Sequence, residues 1–94
     1  MLFLVEIEIL LPREMTMAER QSLGVAEGVR AKELINEGVL VNLWRVPGRR
    51  ANVGIWEAAD ATKLHEAITS LPLWPWMDVQ VTALAEHPNG PRTS

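Results

Sequence analysis

The sequence predicts a single α+β domain in which strands and helices follow one another in the order βαββαβ. Three observations carry this prediction. Apolar and polar residues alternate near both ends of the chain, which is the period of a strand with one buried face. A capped amphipathic segment spans residues 16–36, and a Pro-Gly pair separates two apolar runs in the middle of the chain. Because 94 residues suffice for one small domain and not for two, we predict one domain over residues 1–86 and a C-terminal tail over residues 87–94.

Periodicity and a capping motif define the first strand and the first helix. Pro12 ends the strand, and the S/T-x-x-E capping box of Thr16 and Glu19 begins the helix. Gly38 is the expected C-terminal stop of that helix. The first strand shows the alternation most clearly. The apolar residues Val5, Ile7 and Ile9 alternate with Leu4, Glu6 and Glu8, so the first set should face the core.

The second half of the chain predicts a hairpin, a second helix and a last strand. Residues 39–46 and 50–56 are apolar runs joined by a tight turn with Pro-Gly at its centre, so they should pair. Asp60 can cap a second helix, which ends before residues 71–76, a segment too rich in proline to be regular. Residues 77–84 alternate again and form the fourth strand.

This order of elements is that of a ferredoxin-like sandwich, an antiparallel sheet with both helices on one face. The other face of such a sheet must be polar or covered. Residues 2–5 and 40–41 are apolar on both sides of their strands, and Val25 and Val29 form a second apolar stripe on the first helix. Since 48% of this short chain is hydrophobic, we expect an oligomer that buries the open face.

Composition argues against several classes of function. The net charge of −3 and the pI of about 5.3 argue against a general nucleic-acid binder. The absence of cysteine excludes disulfides and thiolate chemistry, and the apolar runs are too short to span a bilayer. Two histidines far apart give no metal-ligand pattern, and no phosphate-binding loop or Ser-His-Asp spacing occurs. We therefore expect a cytoplasmic protein without a membrane, nucleic-acid or metal partner.

Glu27 is the candidate catalytic residue that the helix pattern provides. Leu23, Glu27, Arg30 and Leu34 fall within roughly 60° of one another around the helix axis. A carboxylate on such an apolar stripe has a raised pKa unless a cation compensates it, and a raised pKa suits proton transfer near neutral pH. The alternative interpretation is a structural ion pair between Glu27 and Arg30 at i+3.

Several strings of residues, spread over nearly the whole chain, resemble the muconolactone Δ-isomerase family. The most specific is the Leu-Pro-Leu-aromatic-Pro-aromatic-Met-Asp run of residues 71–78, followed by His-Pro, because no structural rule demands that string. The other matching strings are Met1-Leu2-Phe3, the helix bearing Glu27, Leu43-Trp44-Arg45, Ala51-Asn52 and Leu64-His65.

The resemblance implies a ferredoxin-like fold, assembly into decamers with pockets where subunits meet, and a role in the β-ketoadipate branch of aromatic catabolism. It implies an isomerase without a cofactor, which moves a double bond in a small anionic lactone by carrying a proton between two ring carbons. A sister group expels chloride from a chloromuconolactone. Two alternatives remain: a cyclase or other biosynthetic catalyst on the same scaffold, and a non-catalytic protein that binds a small ligand or serves assembly.

The resemblance also assigns residues to roles. The family's carboxylate on the first helix matches Glu27, which would act first as general base and then as the acid that returns the proton. Arg45 and Asn52 are the matching positions best suited to hold negative charge or a lactone carbonyl, and Trp44 could wall the pocket. Arg45 could instead stack on Trp44 as a rim residue.

The sequence departs from the family pattern at positions that should lie near the pocket. Leu4 stands where isomerases often have histidine, and Arg50 stands where an aromatic residue is usual. Arg50 could contact the substrate or belong to a solvated hairpin tip. Gly24 and Gly28 replace lysines, and each costs about 1 kcal/mol relative to Ala in a helix. A ligand or a neighbouring chain could approach the helix closely there, or the helix is loosely optimised.

Overall fold

A computed structural model describes residues 1–91 and shows the order βαββαβ, so the predicted α+β class is confirmed. Residues 92–94 of the predicted tail lie outside the described residues. No helix of the described part is long and apolar enough to cross a membrane. The elements are β1 Leu2–Ile9, α1 Met17–Asn36, β2 Leu40–Arg45, β3 Ala51–Glu57, α2 Ala61–Thr69, a 3₁₀ turn at Trp74–Trp76, and β4 Met77–Leu84.

The four strands form one antiparallel sheet in the order β2-β3-β1-β4. In β1, Val5 lies opposite Gly54 of β3 and Val81 of β4. Directly opposite residues of antiparallel strands project to the same face, so the odd-numbered residues of β1 and their partners define one face of the sheet. The even-numbered residues of β1, from Leu2 to Glu8, define the opposite face.

Both helices pack on the odd-numbered face of β1, as the sequence predicted. The core joins Val5 and Trp56 of the sheet to Leu34 of α1 and to Leu64 and Ile68 of α2. Val5 is completely buried, and Trp56 and Leu34 are each 1% exposed. We call this side of the sheet the helix face and the other side the open face.

The predicted helix caps are present. Thr16 Oγ1 accepts a hydrogen bond from the Glu19 N–H at 3.1 Å, and its hydroxyl is 3.0 Å from Glu19 Oε1, to which it donates. Asp60 Oδ1 accepts from the Lys63 N–H at 2.8 Å. The bonds from the Glu19 and Lys63 N–H groups satisfy backbone donors that have no partner within their own helices, which is why these sequences begin helices where they do.

Gly38, predicted to end the first helix, and Gly48, predicted in the hairpin turn, both adopt positive φ. Gly38 has φ 77° just after α1, and Gly48 has φ 75° in the hairpin between β2 and β3. The Arg49 N–H donates to the Val46 carbonyl at 3.2 Å, closing the predicted four-residue turn around Pro-Gly.

Two local features differ from the sequence prediction. Residues 71–76, expected to be irregular, end in the 3₁₀ turn, where the Trp76 N–H donates to the Leu73 carbonyl at 2.9 Å. Proline is tolerated in this first turn because its missing N–H would have had no partner there. The pairing of β2 with β3 also shifts register between Leu40 and Asn42, and this bulge decides which β2 side chains reach the helix face.

Candidate active site

Glu27 lies in the middle of α1, on the side that faces the core, and its side chain is half-buried. Its Oε1 accepts a hydrogen bond from the Leu73 N–H at 3.0 Å, across the connection between α2 and β4. Desolvation by burial raises the pKa of the Glu27 carboxyl above 4.5, and the hydrogen bond from Leu73 opposes that shift. The apolar setting predicted for this carboxylate from the helix pattern agrees with its burial.

Arg30 does not neutralise Glu27, so the alternative of a Glu27–Arg30 ion pair is wrong. Arg30 Nη1 lies 3.0 Å from Glu33 Oε1 and 3.9 Å from Glu37 Oε2, while its Nε donates to Ser70 Oγ at 2.9 Å. A position three residues on is rotated by about 60° around a helix, which turns Arg30 towards the end of α2. Among residues 1–91 no cationic group lies within 4.0 Å of the Glu27 carboxylate.

Arg45 and Asn52 lie on the same side of the sheet as Glu27. They are directly opposite one another in the β2–β3 pair, and Asn52 is opposite the buried Ile7 of β1. This row therefore belongs to the helix face. Arg45 is exposed, whereas Asn52 Oδ1 is buried and has no hydrogen-bond partner among residues 1–91. An unpaired buried acceptor is costly unless a water or a ligand donates to it.

Leu4 and Trp44, by contrast, lie on the open face, so one chain does not bring them to Glu27. Leu4 is opposite Ile55 and Thr82, and its neighbours along β1 are the buried Phe3 and Val5 on the other face. Within one chain Leu4 and Glu27 therefore lie on opposite sides of the sheet, because residues alternate between faces along a strand, and a role for Leu4 near the pocket stays a prediction.

The bulge in β2 explains the position of Trp44. Trp44 is opposite Val53 and is 53% exposed on the open face, whereas Leu43 is opposite the buried Gly54. The stack of Arg45 on Trp44 is not formed either, because successive strand residues project to opposite faces. A pocket wall made by Trp44 next to Glu27 would therefore require a second copy of the chain.

Arg50 lies in the hairpin connection and is exposed, and its carbonyl accepts from the Ile9 N–H at 2.9 Å. Within residues 1–91 its side chain makes no hydrogen bond or ion pair. Its neighbour Arg49 forms an ion pair with Glu8 on the open face. The structure thus shows the solvated hairpin tip, and it does not bring Arg50 into contact with Glu27.

The aromatic residues Trp74 and Trp76 directly follow the segment that contacts Glu27. The Trp74 ring packs edge-on against His65, with ring centroids 6.0 Å apart. Trp76 lies against the first turns of α1, where it and Leu23 help to line a shallow open groove of about 470 Å³. Leu23 is one helical turn before Glu27. Glu27 does not line this groove, nor the clefts beside Arg49 and beside His87 on the surface of residues 1–91.

Sequence reasoning missed the Leu73 N–H and Ser70 as parts of this site. A backbone N–H carries no residue signature, so no pattern of residues could identify Leu73 as the donor. The 71–78 run was recognised as specific, and its specificity was the one signal that this segment has a role. No group of three or more His, Asp or Glu in the described part of the chain could hold a metal ion.

Gly24 and Gly28 lie on the exposed side of α1. A Cβ atom placed on either glycine would meet nothing within 4 Å, so no other part of residues 1–91 approaches the helix closely there. Val25 and Val29 on the same side are 70% and 59% exposed. Any close approach to this surface would come from a ligand or from a second copy.

Comparison with known proteins gives a consistent result. The family model described as Muconolactone delta-isomerase matches residues 1–90. The chain is 39% identical to Muconolactone Delta-isomerase 2 of Acinetobacter lwoffii, covering 93% of this chain and 91% of that protein. It is 37% identical to Muconolactone Delta-isomerase of Cupriavidus pinatubonensis, covering 98% of this chain and all of that protein. A crystal structure of muconolactone isomerase superposes with a TM-score of 0.92 at 34% identity, over 100% of this chain and 98% of that one.

Proposed function

Because the chain belongs to the muconolactone Δ-isomerase family, we propose that it is an isomerase that moves the double bond of muconolactone or a closely related small lactone, with Glu27 as the proton carrier. The observation that carries this proposal is the half-buried Glu27, whose pKa is raised by desolvation and which no cation among residues 1–91 neutralises. Such a carboxylate is a stronger base than a solvated one and can still return the proton near neutral pH.

The reaction that we assign to Glu27 is a proton shuttle. The carboxylate removes a proton from one ring carbon, and the electron pair of that C–H bond spreads over the double bond and the lactone carbonyl as a dienolate. The neutral carboxylic acid then gives the same proton to another ring carbon, which forms a new C–H bond and leaves the double bond shifted. The carboxylate is regenerated, and the step requires no oxidant, reductant or co-reactant.

Arg45 and Asn52 are the residues that we assign to substrate binding on the helix face. A guanidinium can pair with the carboxylate of an anionic lactone, and an amide can donate to a carbonyl oxygen on which negative charge develops. The buried Asn52 Oδ1 without a partner supports a position facing a ligand or an ordered water. Leu4, Trp44 and Arg50 would contact substrate only if another copy of the chain contributed them.

We also propose a homo-oligomer, a decamer as in the resembling family, with sites completed where copies meet. The support is the exposed apolar surface of α1 and β2, which a monomer of this size would leave in water.

Sedimentation should give a mass near ten times 10.5 kDa. Val29→Glu on the exposed stripe should yield smaller species, whereas Thr62→Glu on α2 should not. An unchanged mass for the Val29 variant would contradict the use of this surface. The large apolar side chains of α1 and β2 that are exposed in one chain are Met17, Val25, Val29, Ile35, Val41, Leu43 and Trp44.

A role in the β-ketoadipate branch of aromatic catabolism and a cytoplasmic location complete the proposal. The relatives with this activity in their names are bacterial proteins, and a chain without cysteine suits a reducing compartment. A merely structural role for Glu27 is disfavoured, because that alternative called for a Glu27–Arg30 ion pair and Arg30 binds Glu33 and Ser70 instead.

The direct test is an assay with muconolactone, followed by its chlorinated analogue. We expect conversion of muconolactone to the isomeric lactone, with exchange of a ring proton when the reaction is run in deuterium oxide. Release of chloride from the analogue would extend the activity to the dehalogenating group. If neither lactone turns over or exchanges a proton, the proposed function is wrong for this chain.

A further inference from the structure

We propose that residues 70–73, the segment between α2 and the 3₁₀ turn, position Glu27 for proton transfer. In this proposal the Leu73 N–H fixes Oε1, so that Oε2 carries the proton. The contact between Arg30 and Ser70 anchors the segment against α1. The inference rests on the proposed function of Glu27, and it assigns Leu73, Ser70 and Arg30 as positioning residues.

Two hydrogen bonds join α1 to residues 70–73. Glu27 and Arg30 are three residues apart on α1, and Ser70 and Leu73 are three residues apart on the connection. The Leu73 N–H donates to Glu27 Oε1 at 3.0 Å, and Arg30 Nε donates to Ser70 Oγ at 2.9 Å. On α1 a spacing of three places residues about one helical turn apart, so the connection is held at two points along the helix, which fixes both its position and its direction.

The segment that carries the N–H donor is itself held firmly. Leu71 and Leu73 are 5% and 7% exposed, so both side chains are buried, and Leu71 belongs to the core cluster. The Leu71 N–H donates to the Ile68 carbonyl at 3.1 Å, and the Trp74 N–H donates to the Leu71 carbonyl at 2.9 Å. Pro72 restricts the backbone between these bonds. The donor is therefore in place before a substrate binds, which is the arrangement that precise proton transfer requires.

The hydrogen bond can persist in both protonation states of Glu27. A carboxylate oxygen that accepts from an N–H keeps that role when the other oxygen is protonated, because a carboxylic acid retains its carbonyl acceptor. The proton is therefore directed to Oε2, and the carboxyl group need not rotate between accepting and returning it. The same bond stabilises the ionised form, so it limits how far burial raises the pKa of Glu27.

The sharpest test replaces only the N–H of residue 73. A synthetic chain can carry an ester in place of the peptide bond between residues 72 and 73. The ester deletes the N–H that donates to Glu27 and keeps the Leu73 side chain. We expect the titration midpoint of Glu27, followed by ¹³C NMR of its carboxyl carbon, to rise by about 1 pH unit. An ester at Arg49 removes an N–H that donates to the Val46 carbonyl in the hairpin turn, outside residues 70–73, and is the control that should leave the Glu27 midpoint unchanged.

A second test uses ordinary substitutions at the anchor. Ser70→Ala removes the acceptor of Arg30 and is expected to lower kcat by about 3- to 30-fold with little change in KM, since small misplacements of a reacting group are costly. The Glu27 midpoint should move in the same direction as in the ester. Ser70→Thr keeps a hydroxyl and should restore both values. Thr69→Ala removes a hydroxyl that donates to the His65 carbonyl at 2.9 Å without reaching α1, and it should change neither.

The outcomes separate this inference from the proposed function. A Glu27 midpoint that is the same in the parent and in the residue 73 ester would overturn the inference, whatever the activity. A parent that does not turn over either lactone would defeat the proposed function, while a shifted midpoint would still support the placement of Glu27 by Leu73. A loss of kcat in Thr69→Ala equal to that in Ser70→Ala would also overturn the inference, because it would assign the effect to α2 in general.

Discussion

Glu27→Gln is expected to lower kcat for lactone isomerisation by about 10²- to 10⁴-fold, because an amide cannot take and return a proton. Gln has nearly the same shape, and its amide oxygen can still accept from the Leu73 N–H. KM should therefore change little, and exchange of the substrate's ring proton in deuterium oxide should disappear with turnover. Glu66→Gln removes an exposed helical carboxylate that faces Lys63 and is the control that should retain full activity. Unchanged turnover in the Glu27 variant would eliminate this residue as the proton carrier.

The stability of the same variant provides an independent check, because it reports the folded-state pKa without any substrate. Burial raises the pKa of Glu27 above 4.5 in the folded state, so protonation favours folding. That favourable contribution is complete below pH 4.5 and is lost as the pH rises through the folded pKa. The parent then bears the cost of a desolvated carboxylate, which the neutral amide avoids. The free energy of unfolding of Glu27→Gln relative to the parent, measured with urea, should therefore increase from about pH 4 to about pH 8.

Local sequence rules were sufficient for the elements and for the setting of Glu27. Thr16 and Asp60 cap helices because their side chains satisfy nearby donors, and the hairpin turn follows from Pro47-Gly48 alone. The apolar neighbours of Glu27 on α1 are a property of one helix, so periodicity could predict them. These features depend on residues that are close together in the sequence.

The rest of the candidate site depends on contacts between distant segments. Leu73 is 46 residues from Glu27, and its contribution is a backbone N–H, which any residue except proline would offer. Trp44 reaches the open face because of one extra residue in β2, and a register shift of one residue moves every following side chain to the other face. No pattern within residues 39–46 specified that bulge. The family resemblance named Trp44 as a pocket residue but could not say which copy of the chain would contribute it.

The spacing of β2 and β3 under the candidate site depends on Gly54, the one glycine at which an added Cβ would come closer than 3.0 Å to another atom of residues 1–91. It would lie 2.8 Å from the Asn42 carbonyl oxygen, 3.2 Å from Leu43 Cδ1 and 3.3 Å from Trp56 Nε1. The first of these atoms belongs to the backbone of the neighbouring strand, so it cannot rotate away as the end of a side chain could. Relief of the clash requires β2 to move, and β2 carries Arg45 at the candidate site.

Gly54→Ala is therefore expected to lower the free energy of unfolding by about 1–3 kcal/mol, the usual cost of overpacking, and the Tm by roughly 5–20 °C. Gly24→Ala adds the same methyl group where nothing lies within 4 Å, and it should raise the stability by about 0.5–1 kcal/mol through helix propensity. Thermal unfolding of both variants beside the parent measures the contrast. A Gly54 variant as stable as the parent would show that the sheet absorbs the methyl group without cost. A Gly24 variant that loses stability would indicate that a second copy packs against that turn of α1, since nothing within residues 1–91 does.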